Sequence, residues 1–380
     1  MNKLRRGRGW IGAAALTGAS FVACVACASF AACGGNVVVD GPLAGASSSQ
    51  SSGGGSSSSS SSGPVTPCTD TTSDPQNCGA CGHGCLGGAC VASVCQPVVL
   101  AVSGYPNGLA LNATDIYWTD LLSGVMSLPL GGGTPQVIAM ANAPEAIALD
   151  ASHVYWTAKD SLSRSALAGG AAQPLLSITL STGPWSLAVD GESVYWADKN
   201  AESVEQMPRG GGTPTVLAKG LIAPDGVVVD DTDVYWANGT NEQVAGAIVK
   251  VAKGGGAVTT VAPNQKGPRA LALDDTNVYW TDSAPYYPNP TGLVMKVAKS
   301  GGTPVVLSSA QGNPLGVAVD ATDVYWVNSD AGTVMRVAKG GGTAALLAVG
   351  QPYVTAIAVD DKAVYWTTQG MGGAVVKLAK

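Results

Sequence analysis

Tyr117-Trp118-Thr119-Asp120 is the stretch on which the fold turns, because its first two residues return six more times. The pair recurs at Tyr155-Trp156, Tyr195-Trp196, Tyr235-Trp236, Tyr279-Trp280, Tyr325-Trp326 and Tyr365-Trp366, at spacings of 38, 40, 40, 44, 46 and 40 residues. Its surroundings repeat as well. A short apolar run closed by an acid (Leu187 to Asp190) precedes Val194-Tyr195-Trp196. A further strand-like run (Gly332 to Lys339), a glycine turn (Gly340 to Gly342) and an apolar segment (Ala345 to Ala348) complete the unit in a later copy. Each repeat therefore reads as four short strands joined by tight turns. In the second strand Tyr and Trp point to opposite faces, so each can pack against a different neighbour.

Four strands at a period near 40 residues predict the blades of an all-β, seven-bladed β-propeller over residues 96–380. The seventh repeat supplies three strands up to Lys380, and Pro97-Val98-Val99-Leu100-Ala101 matches the fourth (compare Pro304-Val305-Val306-Leu307). This N-terminal segment is expected to close the ring, which leaves few edges open. Composition agrees, since 51 glycines weaken helices throughout, and a chain 46% hydrophobic can bury a core.

The other segments set the compartment. Lys3, Arg5, Arg6 and Arg8 precede an uncharged Ala/Gly-rich run, so residues 1–32 read as an export signal. Four of the twenty cations lie there, leaving sixteen against twenty-six acids, a net charge of −10 that argues against nucleic acid as a partner. Residues 33–67 form a Ser/Gly-rich linker, a flexible coil without apolar area to bury. Residues 68–95 hold six cysteines, Cys68, Cys78, Cys81, Cys85, Cys90 and Cys95. An even count in an exported segment too small for a core of its own reads as three disulfides, with fifteen connectivities open. Zinc on Cys78-x-x-Cys81 and His83 is the competing reading, disfavoured by oxidising export.

Three resemblances add to this. Phe30-Ala31-Ala32-Cys33-Gly34 resembles the lipobox of bacterial lipoproteins, which implies lipidation of Cys33 and a lipid anchor at the outer membrane or cell surface. The run from Asp74 to Cys85 resembles the cysteine-rich module of stigma-specific plant proteins and their bacterial relatives. Tyr117-Trp118-Thr119-Asp120 and Tyr279-Trp280-Thr281-Asp282 resemble the YWTD propellers of lipoprotein-receptor ectodomains. That family has six blades where this chain has seven repeats, and the last two motif positions drift to Ala197-Asp198, Ala237-Asn238 and Thr367-Thr368.

Function in such an array is expected where the repeats disagree. The positions just ahead of the innermost strands carry Asn107, Glu145, Trp185, Asp225, Arg269, Leu315 and Thr355. Five aromatics of the exported part lie outside the Tyr-Trp pairs, namely Tyr105, Trp185, Tyr286, Tyr287 and Tyr353, and topology puts all five in loops on that same face. Aromatics among few charges suit recognition of a protein, peptide or glycan. The propeller has one histidine, His153, at a turn position, so nucleophilic catalysis lacks its parts. Asn107, Glu145 and Asp225 are the candidate ligands of the alternative, a calcium ion at the channel mouth of a lactonase-like hydrolase, as the resemblance to gluconolactonase-type propellers would imply. The recurring Asp150, Asp190, Asp230, Asp274, Asp320 and Asp360 read as turn caps, and Lys253, Lys299 and Lys339 as solubilising residues beside glycine turns. The protein is expected to be a monomer.

Overall fold

The computed structural model describes residues 70–158, 161–177, 186–239, 245–283, 292–370 and 372–380. The proposed signal, Cys33, the linker and Cys68 lie outside the described residues, as do Trp185, Tyr286 and Tyr287.

Seven four-stranded antiparallel sheets follow one another along the chain. Blade 1 comprises Pro106–Leu111, Asp115–Asp120, Gly124–Pro129 and Gln136–Ala139, counted from the inside outward. Blades 2 to 6 repeat this over residues 147–177, 186–219, 225–265, 268–311 and 314–348. Blade 7 is made of Val354–Val359, Ala363–Thr368, Ala374–Ala379 and, as its outer strand, Val98–Val102. Val98 pairs with Lys377 and Val102 with Ala374, which is the expected closure. The innermost strands touch one another all the way round, blade 7 against blade 1 included.

The repeated aromatics hold the ring together. Seven apolar clusters lie at the seven junctions, and each contains the tyrosine of one blade with the tryptophan of the next. Tyr117 meets Trp156, and the series ends with Tyr365 meeting Trp118. All seven indoles are at most 1% exposed, so each withdraws its full area from water. Their N–H groups need acceptors. Trp280, Trp326 and Trp366 donate to the Oε1 atoms of Gln265, Gln311 and Gln351, each at the end of the segment arriving from the preceding blade. Leu221 holds that position ahead of blade 4, and among the described residues Trp236 Nε1 has no hydrogen-bond partner.

The acid that closes the innermost strand in blades 2 to 7, where blade 1 has Asn112, is a turn cap and something more. Asp230 Oδ1 accepts the N–H groups of Thr232 and Asp233, while Oδ2 accepts the Tyr235 hydroxyl at 3.1 Å and Lys299 Nζ at 2.9 Å. Lys299 belongs to the next blade. The same inter-blade pairing joins Arg209 to Asp150, Lys253 to Asp190, Lys339 to Asp274 and Lys380 to Asp320. The repeated lysines are thus not simply solubilising. The end of each third strand lies over the inner turn of the preceding blade, where a carboxylate awaits. Burial alone would raise Asp230, but the bonds from Lys299 and the turn N–H groups overcome it and hold the carboxyl well below the ordinary range. At Asp150 the opposing burial is likewise outweighed, by Tyr155 and the turn, and its pKa falls to about 2. Blade 1 is the exception. Leu130 and Leu167 occupy the cation position of blades 1 and 2, so neither junction flanking blade 1 has this pair.

Residues 70–95 are disulfide-bonded, Cys78 to Cys90 and Cys85 to Cys95, and Cys81 is in a disulfide too. The protein is therefore extracytoplasmic in type. These sulfurs are committed to disulfides, which leaves the zinc reading without its thiolates. The module shares an apolar cluster with blade 7, around Leu378 and Ala379. His153 begins the second strand of blade 2, with its N–H on Asp150 Oδ1, as a turn residue should.

Candidate functional site

The threonine and aspartate of the Tyr-Trp-Thr-Asp motif build one mouth of the ring. Thr119 Oγ1 accepts the Gly108 N–H of its own blade and donates to the Glu145 carbonyl of the next. Thr281 donates to the Leu315 carbonyl and Thr367 to that of Asn107, which carries the link across the closure. Asp120 caps the loop that follows it by accepting the N–H groups of Leu122 and Ser123. Its other oxygen takes the Tyr105 N–H and the Ser103 hydroxyl.

The hydroxyls thus grip the main chain of the variable positions and leave their side chains to vary. Glycines allow the close approach. A Cβ on Gly108 would lie 2.6 Å from the Glu145 carbonyl oxygen, and one on Gly226 only 2.0 Å from that of Arg269. Asn107, Glu145, Asp225, Arg269, Leu315 and Thr355 therefore belong to one rim, at the end of the blades opposite the Asp–Tyr–Lys turns.

Their side chains differ in what they touch. Asp225 is 5% exposed, and its Oδ2 lies 2.9 Å from Lys199 Nζ, in the loop after the second strand of blade 3. Asn107 is buried, and its Oδ1 accepts Gln369 Nε2 from blade 7. Arg269 and Glu145 are half-buried. Of the three candidate calcium ligands, then, two already have a protein donor on the side-chain oxygen. Lys199 and Gln369 were not singled out from the sequence. Their signal is positional, since both follow a second strand, in loops of the variable face.

Tyr105 and Tyr353 stand two residues ahead of Asn107 and Thr355 on adjacent blades. Tyr105 is 40% exposed and Tyr353 59%. Tyr353 also has a φ of 47°, in the left-handed region that disfavours a bulky side chain. Ala143, Ala223 and Asn313 share that backbone in blades 2, 4 and 6. The scaffold sets the turn, and nothing in the turn asks for an aromatic ring.

No family model matches the chain, and no curated protein matches it by sequence. Solved structures do. A streptogramin B lyase superimposes with a TM-score of 0.62 at 11% identity, covering 74% of this chain and 97% of its own. A catalytically inactive variant of the virginiamycin B lyase of Staphylococcus aureus, crystallised with quinupristin, gives 0.62 at 13% identity, covering 75% and 98%. Nidogen in its complex with laminin gives 0.49 at 21% identity, over 60% of this chain and 89% of that one. The two lyase likenesses agree with the propeller fold and show no more than the fold.

Proposed function

We propose that the protein is a binding or scaffold propeller of the cell envelope, tethered by a lipid on Cys33, which recognises a protein, peptide or glycan at the variable mouth. The observation that carries this is Tyr353. Its ring is mostly exposed in a left-handed turn, where folding would be served better by glycine or asparagine. Tyr105 stands beside it on blade 1, and the sequence adds Trp185, Tyr286 and Tyr287 to loops of the same face. Aromatic side chains in such a position supply contact area at low entropic cost, while Arg269, Glu145 and the Asp225–Lys199 pair set orientation.

The test separates fold from function in one residue. Tyr353→Gly relieves the left-handed backbone, so its melting temperature should stay level or rise. Capture on a glycan array or from envelope extract should fall together with it for Tyr105→Ala. Undiminished capture by both variants would remove the aromatic mouth from consideration. Turnover of a lactone panel that depends on added calcium would favour the hydrolase instead. The similar lyase structure, an inactive variant crystallised with quinupristin, lends only its fold. The one propeller histidine here, His153, lies at the opposite end of its blade from the mouth.

A further inference from the structure

The cysteine-rich module meets the ring at its seam. Cys95 is followed almost directly by the closing strand Val98–Val102, and the strand that it pairs with, Ala374–Ala379, runs into Lys380. The module folds back over this junction. Gln96 N–H donates to Ala89 O, and a Cβ on Gly88 would lie 2.3 Å from the Gln96 carbonyl oxygen and 3.3 Å from Val98 Cγ2.

His83 makes the polar link. Its Nδ1 lies 2.5 Å from the main-chain oxygen of Cys78, inside the module, and its Nε2 lies 2.5 Å from the main-chain oxygen of Lys380. Main-chain oxygens can only accept. A neutral imidazole carries one N–H, so it could satisfy one of them and would turn a lone pair toward the other. Both contacts are hydrogen bonds only when both ring nitrogens are protonated. Lys380 passes the link onward, because its N–H donates to Lys362 O and its Nζ reaches Asp320 of blade 6.

We propose that His83, as an imidazolium, clamps the disulfide module onto the seam of the ring, so that the closure is tighter in mildly acidic than in alkaline surroundings. The module is then part of the closure rather than a second, free-standing domain. Those two hydrogen bonds push the His83 pKa up, against the weaker opposing effect of burial. The sign follows. The added stability is complete below the ordinary histidine pKa and is lost as pH rises through the raised value.

The charged groups on the elements around His83 have other partners. Asp70 bonds Thr72 and Ser73, Asp74 bonds Gln76 and Asn77, and the Lys380 ammonium bonds Asp320 and the Asp360 main-chain oxygen. Among the described residues none of these charged side chains contacts the ring, so the two main-chain oxygens govern its protonation.

The chain has two histidines, which makes the test direct. His153→Asn, a residue that the equivalent Asn277 already carries in blade 5, leaves one imidazole to observe. Nitrogen-15 spectra of the exported full-length protein should show both His83 nitrogens protonated at about pH 7, with a midpoint above that of a free histidine. Seam amides in 98–102 and 374–379 should exchange about tenfold more slowly than in His83→Gln at about pH 6, and the ratio should shrink toward one at about pH 9. Comparing both proteins at each pH cancels the intrinsic exchange rate. A neutral His83 at pH 7 would overturn the proposal, as would a protection ratio that does not change with pH. The spectra need no variant at position 83, so the proposal stays testable should His83→Gln fail to fold.

Discussion

Asp274→Asn isolates the inter-blade ion pair with the least disturbance to shape. Oδ1 accepts the Thr276 and Asn277 N–H groups, and Asn keeps that oxygen. Oδ2 accepts the Tyr279 hydroxyl at 2.7 Å and Lys339 Nζ at 2.9 Å, and there Asn presents an N–H₂. The ammonium loses its counter-charge while its side chain is only 19% exposed. A hydrogen bond to a charged group is worth about 1.5–3 kcal/mol when enclosed, and surface pairs about 0–1. This half-buried pair falls between, and the loss should be about 1.5 kcal/mol. For a ring of this size that lowers the melting temperature by about 2–3 °C, readable by calorimetry. The control lies in blade 7. Asp360 takes the Tyr365 hydroxyl, but among the described residues its carboxylate has no cation in ion-pair range. Asp360→Asn should therefore cost about half as much. A double-mutant cycle of Asp274→Asn with Lys339→Met should give a coupling of about 1 kcal/mol. Coupling below about 0.3 kcal/mol, or equal costs at Asp274 and Asp360, would show that the pairs contribute nothing to the junctions.

Gln311→Leu should cost about 2 kcal/mol or more, because it strips the acceptor from Trp326 Nε1 and from Asn328 Nδ2 in a buried setting; urea unfolding would measure it. Stability should decline in acid only below about pH 4, since Asp150, Asp230, Asp274 and Asp320 all have depressed folded pKa values and give up their contribution as pH falls from the ordinary aspartate value through them. At the alkaline end, burial and then Asp150 raise Tyr155 to about 12, so its contribution holds up to about pH 10 and is lost as pH rises through 12. Deleting the chain through Val102 should lower stability by several kcal/mol relative to deletion through Cys95, because blade 7 loses its outer strand, with Ala101 and Leu100 withdrawn from the junction with blade 1. Cys33→Ser should move the protein from the membrane fraction to the soluble one.

The fold was legible because its decisive contacts are made by residues that repeat. Tyr and Trp at a fixed offset name both sides of every junction, and Pro97 to Ala101 looks like a fourth strand because it is one. What stayed hidden are contacts between residues far apart in sequence. Lys299 stands beside a glycine turn in one dimension, and only the stacking of blades brings it to Asp230, 69 positions earlier. Gln311 carries no motif, yet the indole fifteen residues later depends on it. The mouth was half legible. Its variable positions show in the alignment of the repeats, whereas Lys199 and Gln369 acquire meaning only from the carboxylate and amide that they meet across a blade boundary.

The threonine links at the mouth bear on how this molecule can change over generations. Each fixes a neighbour's carbonyl and is indifferent to the side chain on the same residue, so a substitution there is invisible to the strand that holds it. Apart from side chains that are themselves tied, as Asn107 is to Gln369 and Asp225 to Lys199, such a rim can drift, or be randomised by design, one position at a time. A library that varies positions 105, 145, 269 and 353 while keeping Thr119, Thr281 and Thr367 would sample new surfaces on an unaltered frame.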